Sequence, residues 1–167
     1  MVSRSLAGPL RTKVWACRGE SLPSSSAVDL ISDNANRWSG EGEPTIYLSG
    51  DPALALVESG RHPDDLEEGM RLIEVDVRIP LAVDLRVADV RAALSLPDQP
   101  GWVFDRDRSR DVARSLRHSG ICDALVVPSA GAPDQPDRFN LVVFADARAS
   151  VPRMIGDLRV VGELMAP

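Results

Sequence analysis

The sequence predicts one compact α+β domain, and three observations carry that expectation. Arg71 to Val77 alternates, with Ile73, Val75 and Val77 on one side and Glu74 and Asp76 on the other, the pattern of a half-buried strand. Two apolar runs, Cys122 to Val127 and Phe139 to Phe144, are short and flanked by turn residues, so they read as buried strands. Helical stretches follow Asp51 and Asp105, and no repeat, linker or low-complexity block divides the chain. A chain of 167 residues is long enough to bury one sizeable core.

Taken in order, residues 1–12 are expected to be a poorly ordered leader, with the domain spanning residues 13–167. The leader carries Arg4 and Arg11 but no continuous apolar segment, so it lacks the pattern of a signal peptide. Lys13 to Arg18 reads as a first strand. Gly19 to Asp33 is Ser-rich and loop-prone, with one helical turn at Val28 to Ile31. That segment could close over a ligand or serve as a passive connection.

Thr45 to Ser49, rich in β-branched and aromatic residues and bounded by Gly and Pro, is a strand. Asp51-Pro52 is a helix start, because Asp can cap free N–H groups and Pro suits the first helical position. Leu54 and Glu58 lie four apart on one face of that helix, with Val57 beside them, so Glu58 is expected to point toward apolar surface. A carboxylate so placed is costly unless it has a partner or a task. Pairing with Arg61 or another surface arginine would be the structural account of it.

His62 to Gly69 reads as an acidic, exposed turn. After the alternating strand, Pro80 is expected to interrupt, with Leu81 to Leu85 a separate extended piece. Val87 to Leu94 is a short helix and Pro97 to Gly101 a turn. Asp105 to His118 is a surface helix with Val112, Ala113 and Leu116 inward and Arg106, Asp107, Arg110 and Arg114 in solvent, ended by Ser119-Gly120. Ala130 to Arg138 is a turn-rich loop, and Asp157 to Leu164 adds a last strand. Asn140 sits inside an apolar run, so a buried amide there must be hydrogen-bonded.

The formal net charge is −6, without a basic stripe, which argues against broad nucleic-acid binding. No segment approaches the roughly 20 apolar residues that span a bilayer. Cys17 and Cys122 sit in strand-like apolar settings without C-x-x-C spacing and read as reduced core residues of a cytoplasmic protein. His62 and His118 form no metal-ligand pattern, so no metal is expected.

The order and spacing of Arg37-Trp38, the Tyr47-Leu48-Ser49 strand, the Ala53-Leu54-Ala55-Leu56-x-Glu58 helix and the later Val127-Pro128-Ser129 segment resemble the RES-domain family. Many of its members are toxins of bacterial toxin–antitoxin pairs. The resemblance implies a fold similar to the catalytic core of ADP-ribosyltransferases, a split, mostly antiparallel sheet wrapped by helices with the nucleotide in the cleft. It implies NAD as a consumed substrate rather than a recycled cofactor, and cleavage of the bond between nicotinamide and ribose. Glu58, Arg37 and Ser129 are then the catalytic candidates, and Arg18, Arg37, Tyr47, Ser129 and Asn140 the NAD-binding ones. The match is looser at Arg18, where Gly19 follows instead of an aromatic residue. The implied partner is an Xre-like helix-turn-helix antitoxin; direct nucleic-acid contact and membrane association are not expected, and a homodimer is left open.

The chemistry suits these residue types. Cleavage passes through an oxocarbenium-like cation, as in glycoside hydrolysis. Nicotinamide leaves from a pyridinium and needs no proton, so the requirement is a carboxylate beside the developing charge. Planar guanidinium groups suit a pyrophosphate. Water as acceptor would make an NAD glycohydrolase, phosphate an NAD phosphorylase, and a side chain a protein ADP-ribosyltransferase. An inactive RES-like module that binds nucleotide or protein is the alternative outside enzymology. Glu41-Gly42-Glu43 and Ser24-Ser25-Ser26 imitate transferase signatures but precede the Tyr47 strand, in the wrong order. Ser129 has no histidine at triad spacing, which argues against a serine nucleophile.

Overall fold

In the computed structural model, residues 6–18, 26–59, 70–98, 100–132, 134–135 and 137–164 are described. They form strands β1 (Ala7–Arg18), β2 (Thr45–Ser49), β3 (Met70–Asp84), β4 (Ala124–Pro128), β5 (Phe139–Phe144) and β6 (Ile155–Leu164). The helices are α1 (Pro52–Glu58), α2 (Ala88–Ala93), α3 (Arg106–Ser119) and α4 (Val151–Met154), with short 3₁₀ turns at Ala27–Leu30, Pro100–Phe104 and Arg148–Ser150. The acidic stretch 62–69 and the first part of the Ser-rich segment, residues 19–25, lie outside the described residues.

The strands make two three-stranded half-sheets, β6–β3–β1 and β4–β5–β2. One seam between them is the short parallel pairing of β3 with β4, from Ala82 opposite Ala124 to Asp84 opposite Val126. The other seam is a single residue pair, Trp15 opposite Ser49, between β1 and β2. All remaining pairings are antiparallel. The α+β class and the split, mostly antiparallel sheet are therefore as expected. The β1–β2 seam is short for a local reason. The chain leaves β2 at Gly50 and enters α1, which packs against both β1 and β2, while β1 runs on to Arg18. A cleft opens where the two strands part.

The half-buried alternation of β3 places Ile73, Val75, Val77 and Ile79 in one core with Val14, Ile46 and Leu141. Beyond Pro80 the inward phase changes: Ala82 joins that core, whereas Val83 and Leu85 face a second core with Trp102, Leu116 and Leu125. The expected break at Pro80 does not occur, and β3 continues through it. Its missing N–H goes undemanded because pairing with β6 ends at Val77, pairing with β4 starts at Ala82, and the β1 register shifts between Gly8 and Leu10. This is the bulge position at which a strand tolerates proline, and the extra residue turns the strand's faces over.

β4, and β5 beyond Asn140, are apolar because both their faces are covered. Ala124, Val126, Leu141 and Val143 line the first core, and Leu125, Val127, Val142 and Phe144 line the second, under α3. Burial of each such Leu or Val contributes roughly 1.5–3 kcal/mol.

Residues 7–12 are not a leader but the first half of β1, paired with β3 from Ala7 opposite Val83 to Thr12 opposite Val77. The alternation of half-buried and exposed positions there is too weak to announce a strand, and β3 supplies the ladder. α3 is capped by the Asp105 side chain and ends at Gly120 in the left-handed region, φ 62°. Its arginines were expected in solvent, yet Arg110 Nε donates to the Asn36 carbonyl at 2.8 Å and Arg114 Nε to Glu43 at 3.1 Å. They latch the loop that carries Arg37.

Candidate active site

α1 starts where the sequence places it. Asp51 Oδ1 accepts from the Leu54 amide at 2.8 Å, Pro52 fills the first helical position, and Leu54 and Ala55 are buried. Gly50 before it is required by contact rather than by φ. A Cβ there would come within 2.5 Å of the Phe139 ring, and the Gly50 amide donates to the Phe139 carbonyl at 2.8 Å.

At the other end of α1, Glu58 is exposed, not turned toward apolar surface as the helical spacing suggested. The helix ends at Ser59, so the carboxylate reaches past the packed face to the rim of the cleft, where polar groups receive it. Its Oε1 accepts from Ser129 Oγ at 2.6 Å, from Asn140 Nδ2 at 2.8 Å and from the Gly131 amide at 3.4 Å. Ser129 is fully buried, and its hydroxyl in turn accepts from the Gly131 amide at 3.1 Å. Asn140 Oδ1 accepts from Ser49 Oγ at 3.0 Å, which fixes the amide so that its nitrogen faces Glu58. Oε2 has no hydrogen-bond partner among the described residues. One carboxylate oxygen is thus held by three donors, and the other is left for a ligand.

Glu58 borders a cavity of about 720 Å³ in the cleft between the half-sheets, a volume in the range of small-molecule sites. Arg18, Arg37, Tyr47 and Asn140 also line it, together with Pro128 and Ala130, the neighbours of Ser129. Every residue singled out from the sequence is therefore at this cleft, Ser129 behind the carboxylate it holds.

Arg18, at the end of β1, is half-buried. Its hydrogen bond is to the carbonyl of neighbouring Cys17 at 3.4 Å, and among the described residues no carboxylate pairs with it. Burial lowers its pKa from the usual arginine value. A desolvated guanidinium without a counter-ion favours an anion from outside. Arg37 is also half-buried, with Nη1 donating to the Val103 carbonyl. Tyr47 shares a strand face with Ser49, and its hydroxyl hydrogen-bonds Ser39 Oγ at 2.9 Å. Burial raises its phenol above the usual value. Trp38 is buried in packing, edge-on to Trp102 with centroids 5.6 Å apart.

Of the imitation signatures, Ser24 and Ser25 lie outside the described residues, and neither Glu43 nor Ser26 lines the cavity. Glu43 braces its own turn, accepting from the Gly40 amide at 2.6 Å, and Ser26 caps the 3₁₀ turn at Ala27–Leu30. Both cysteines are buried, and burial pushes the Cys122 thiol up to about 12. Among the described residues no His, Cys, Asp and Glu cluster could hold a metal ion, and no helix is long and apolar enough to cross a membrane.

One ion pair at the site has no signal in the sequence. Arg138 donates to both Asp51 oxygens, at 2.9 and 2.8 Å, and ties the end of the Ser129 loop to the start of α1. Segment 129–140 therefore grips α1 at both ends. The Arg138 hydrogen bonds are the main reason the Asp51 carboxyl lies below its usual range, with the Leu54 amide adding to the effect. A carboxyl depressed in the folded state adds stability above its unfolded value of about 3.9, and that stability is lost as pH falls through the folded value. We expect Arg138→Ala to cost about 1 kcal/mol at neutral pH, the upper range for a half-exposed pair of good geometry. Thermal melts should show this gap closing as acid protonates Asp51. A gap of constant size from pH 7 to pH 2 would refute the linkage.

A RES-domain family model matches residues 13–161. The crystal structure of the M. tuberculosis MbcT–MbcA toxin–antitoxin complex contains a chain of similar fold, with TM-score 0.70 and 18% identity over 96% of this chain and 87% of that one. Among curated proteins none matches. With the family model covering residues 13–161, the chain belongs to the RES-domain family.

Proposed function

We propose that this protein is the toxin of a bacterial toxin–antitoxin pair and that it consumes NAD by cleaving the nicotinamide–ribose bond. One observation carries the reading. A carboxylate held through one oxygen by Ser129, Asn140 and Gly131 borders a cavity that also holds two half-buried arginines, Arg18 and Arg37. Family membership and the fold shared with a chain of a toxin–antitoxin complex support it.

In this reading the arginines grip the pyrophosphate and the open Oε2 of Glu58 lies against the reacting ribose. The bond between the anomeric carbon and the pyridinium nitrogen breaks, its electron pair leaves with nicotinamide, and the carboxylate stabilises the oxocarbenium ion that remains. Water or phosphate then adds to that carbon. With water the products are ADP-ribose, nicotinamide and one proton; with phosphate, ADP-ribose phosphorylated at that carbon and nicotinamide. Ser129 and Asn140 hold the carboxylate, and Tyr47 offers a ring face or its hydroxyl to the substrate. A helix-turn-helix antitoxin that covers the cleft is the proposed partner, and the cytoplasm, where NAD is abundant, the proposed site of action.

The test is to incubate purified protein with NAD, with and without phosphate, and to follow free nicotinamide and the ribosyl product. Release above background supports the reading, and its dependence on phosphate separates phosphorolysis from hydrolysis. Release only when a target protein is added would indicate ADP-ribosyl transfer. No release under any condition would leave a binding module.

A further inference from the structure

A second carboxylate borders the same cavity, and the mechanism above does not use it. Asp29, in the 3₁₀ turn Ala27–Leu30, is half-buried, lines the cavity, and has no side-chain hydrogen bond or ion pair among the described residues. Its acidic neighbour on that wall, Asp33, is satisfied by Arg148 at 2.8 and 3.0 Å. Glu58 is satisfied through Oε1. Asp29 is thus the cavity's wholly unpartnered acid among the described residues. A half-buried carboxylate without donors is costly unless a ligand brings them.

The 3₁₀ turn packs against α4 and β6, whereas α1 packs against β1 and β2. The two carboxylates are therefore carried by different elements of the cavity wall. A dinucleotide has a ribose at each end of its pyrophosphate, so a ligand whose reacting ribose meets Glu58 has a second ribose to offer to another part of that wall. A carboxylate accepts both hydroxyls of a vicinal diol, and it repels a phosphate in place of the 2′-hydroxyl. Dinucleotide-binding sites of unrelated fold use an acidic residue in that way.

We propose that Asp29 binds the adenosine ribose diol and makes the site selective for NAD over its 2′-phosphorylated form, NADP. The inference rests on the reading of the cleft as an NAD site. The wall also carries Arg106, at the start of α3, and a site that used this arginine for a 2′-phosphate would show the opposite preference.

The experiment has a binding arm and a turnover arm. Affinities for NAD and NADP are measured by calorimetry on Glu58→Gln protein, which does not depend on catalysis, and again with Asp29→Asn added. We expect at least tenfold tighter binding of NAD, shrinking to within about threefold in the Asp29→Asn background as NAD affinity falls and NADP affinity rises. Equal affinities at the outset, a preference for NADP, or a ratio that Asp29→Asn leaves unmoved would each overturn the assignment. In the turnover arm, kcat/KM for nicotinamide release from the two dinucleotides by protein with Glu58 intact should show the same ratio. Absence of release from both would overturn the NAD-cleaving reading, while the binding ratio would still decide the role of Asp29. A loss of thermal stability in Asp29→Asn does not bear on the ratio, because both ligands are compared on the same folded protein.

Discussion

Glu58→Gln is expected to slow nicotinamide release by about 10²- to 10³-fold, the cost of removing one preorganised electrostatic group from a developing charge. The substitution keeps the shape of the site. A glutamine carbonyl can still accept from Ser129, Asn140 and the Gly131 amide, as Oε1 does now. What disappears is the negative charge at the oxygen that none of them occupies. Stability should therefore change little, since the residue is exposed and its donors remain satisfied. Paired measurements of nicotinamide release and thermal unfolding check this. A variant with undiminished release would mean that the reacting ribose meets another group.

Arg37→Ala is expected to raise the KM for NAD by about 10- to 100-fold, with a smaller effect on kcat. Hydrogen bonds to charged groups are worth about 1.5–3 kcal/mol each, and tenfold corresponds to about 1.4 kcal/mol. The guanidinium is half-buried and steadied through Nη1 on the Val103 carbonyl, so its remaining donors meet the ligand already oriented. Arg37→Lys should recover only part of the loss, because an ammonium group lacks the planar fork that bonds two phosphate oxygens. Steady-state kinetics on the three proteins decide the matter. An unchanged KM in Arg37→Ala would place the pyrophosphate elsewhere.

Much of the fold was legible because the signals were local. The cap and proline of α1 act within one turn of helix. The alternation in β3 and the apolar runs of β4 and of β5 after Asn140 state how many faces of each strand are covered. Where local and tertiary demands differed, the local reading failed. Pro80 reads as a stop, yet the ladder needs no donor at that position. Residues 7–12 read as a leader, yet β3 is long enough to pair them. Glu58 reads as facing an apolar surface, because helical spacing cannot reveal that the helix ends there at a cleft lined with donors.

The candidate site divides in the same way. Arg37, Tyr47, Glu58, Ser129 and Asn140 were visible as residue types in a recognisable order. The Arg138–Asp51 clamp was not, because the two residues are 87 positions apart and each alone resembles an ordinary surface charge. Asp29 was likewise hidden, as one acid in a loop, until the absence of a partner at a cavity wall distinguished it.

By itself the sequence determined most of the element types, the family resemblance and the candidate residues Arg37, Tyr47, Glu58, Ser129 and Asn140, since caps, periodicities and spaced motifs act over a few residues. That Ser129, Asn140 and the Gly131 amide hold Glu58 came from the tertiary structure. Only the tertiary structure decided which oxygen of Glu58 is held and which is open, which acids in the cleft are already satisfied, and that a single residue pair between β1 and β2 leaves the cleft ajar. Those outcomes depend on contacts between distant segments, where burial and hydrogen-bond geometry, rather than local propensity, set the free energy.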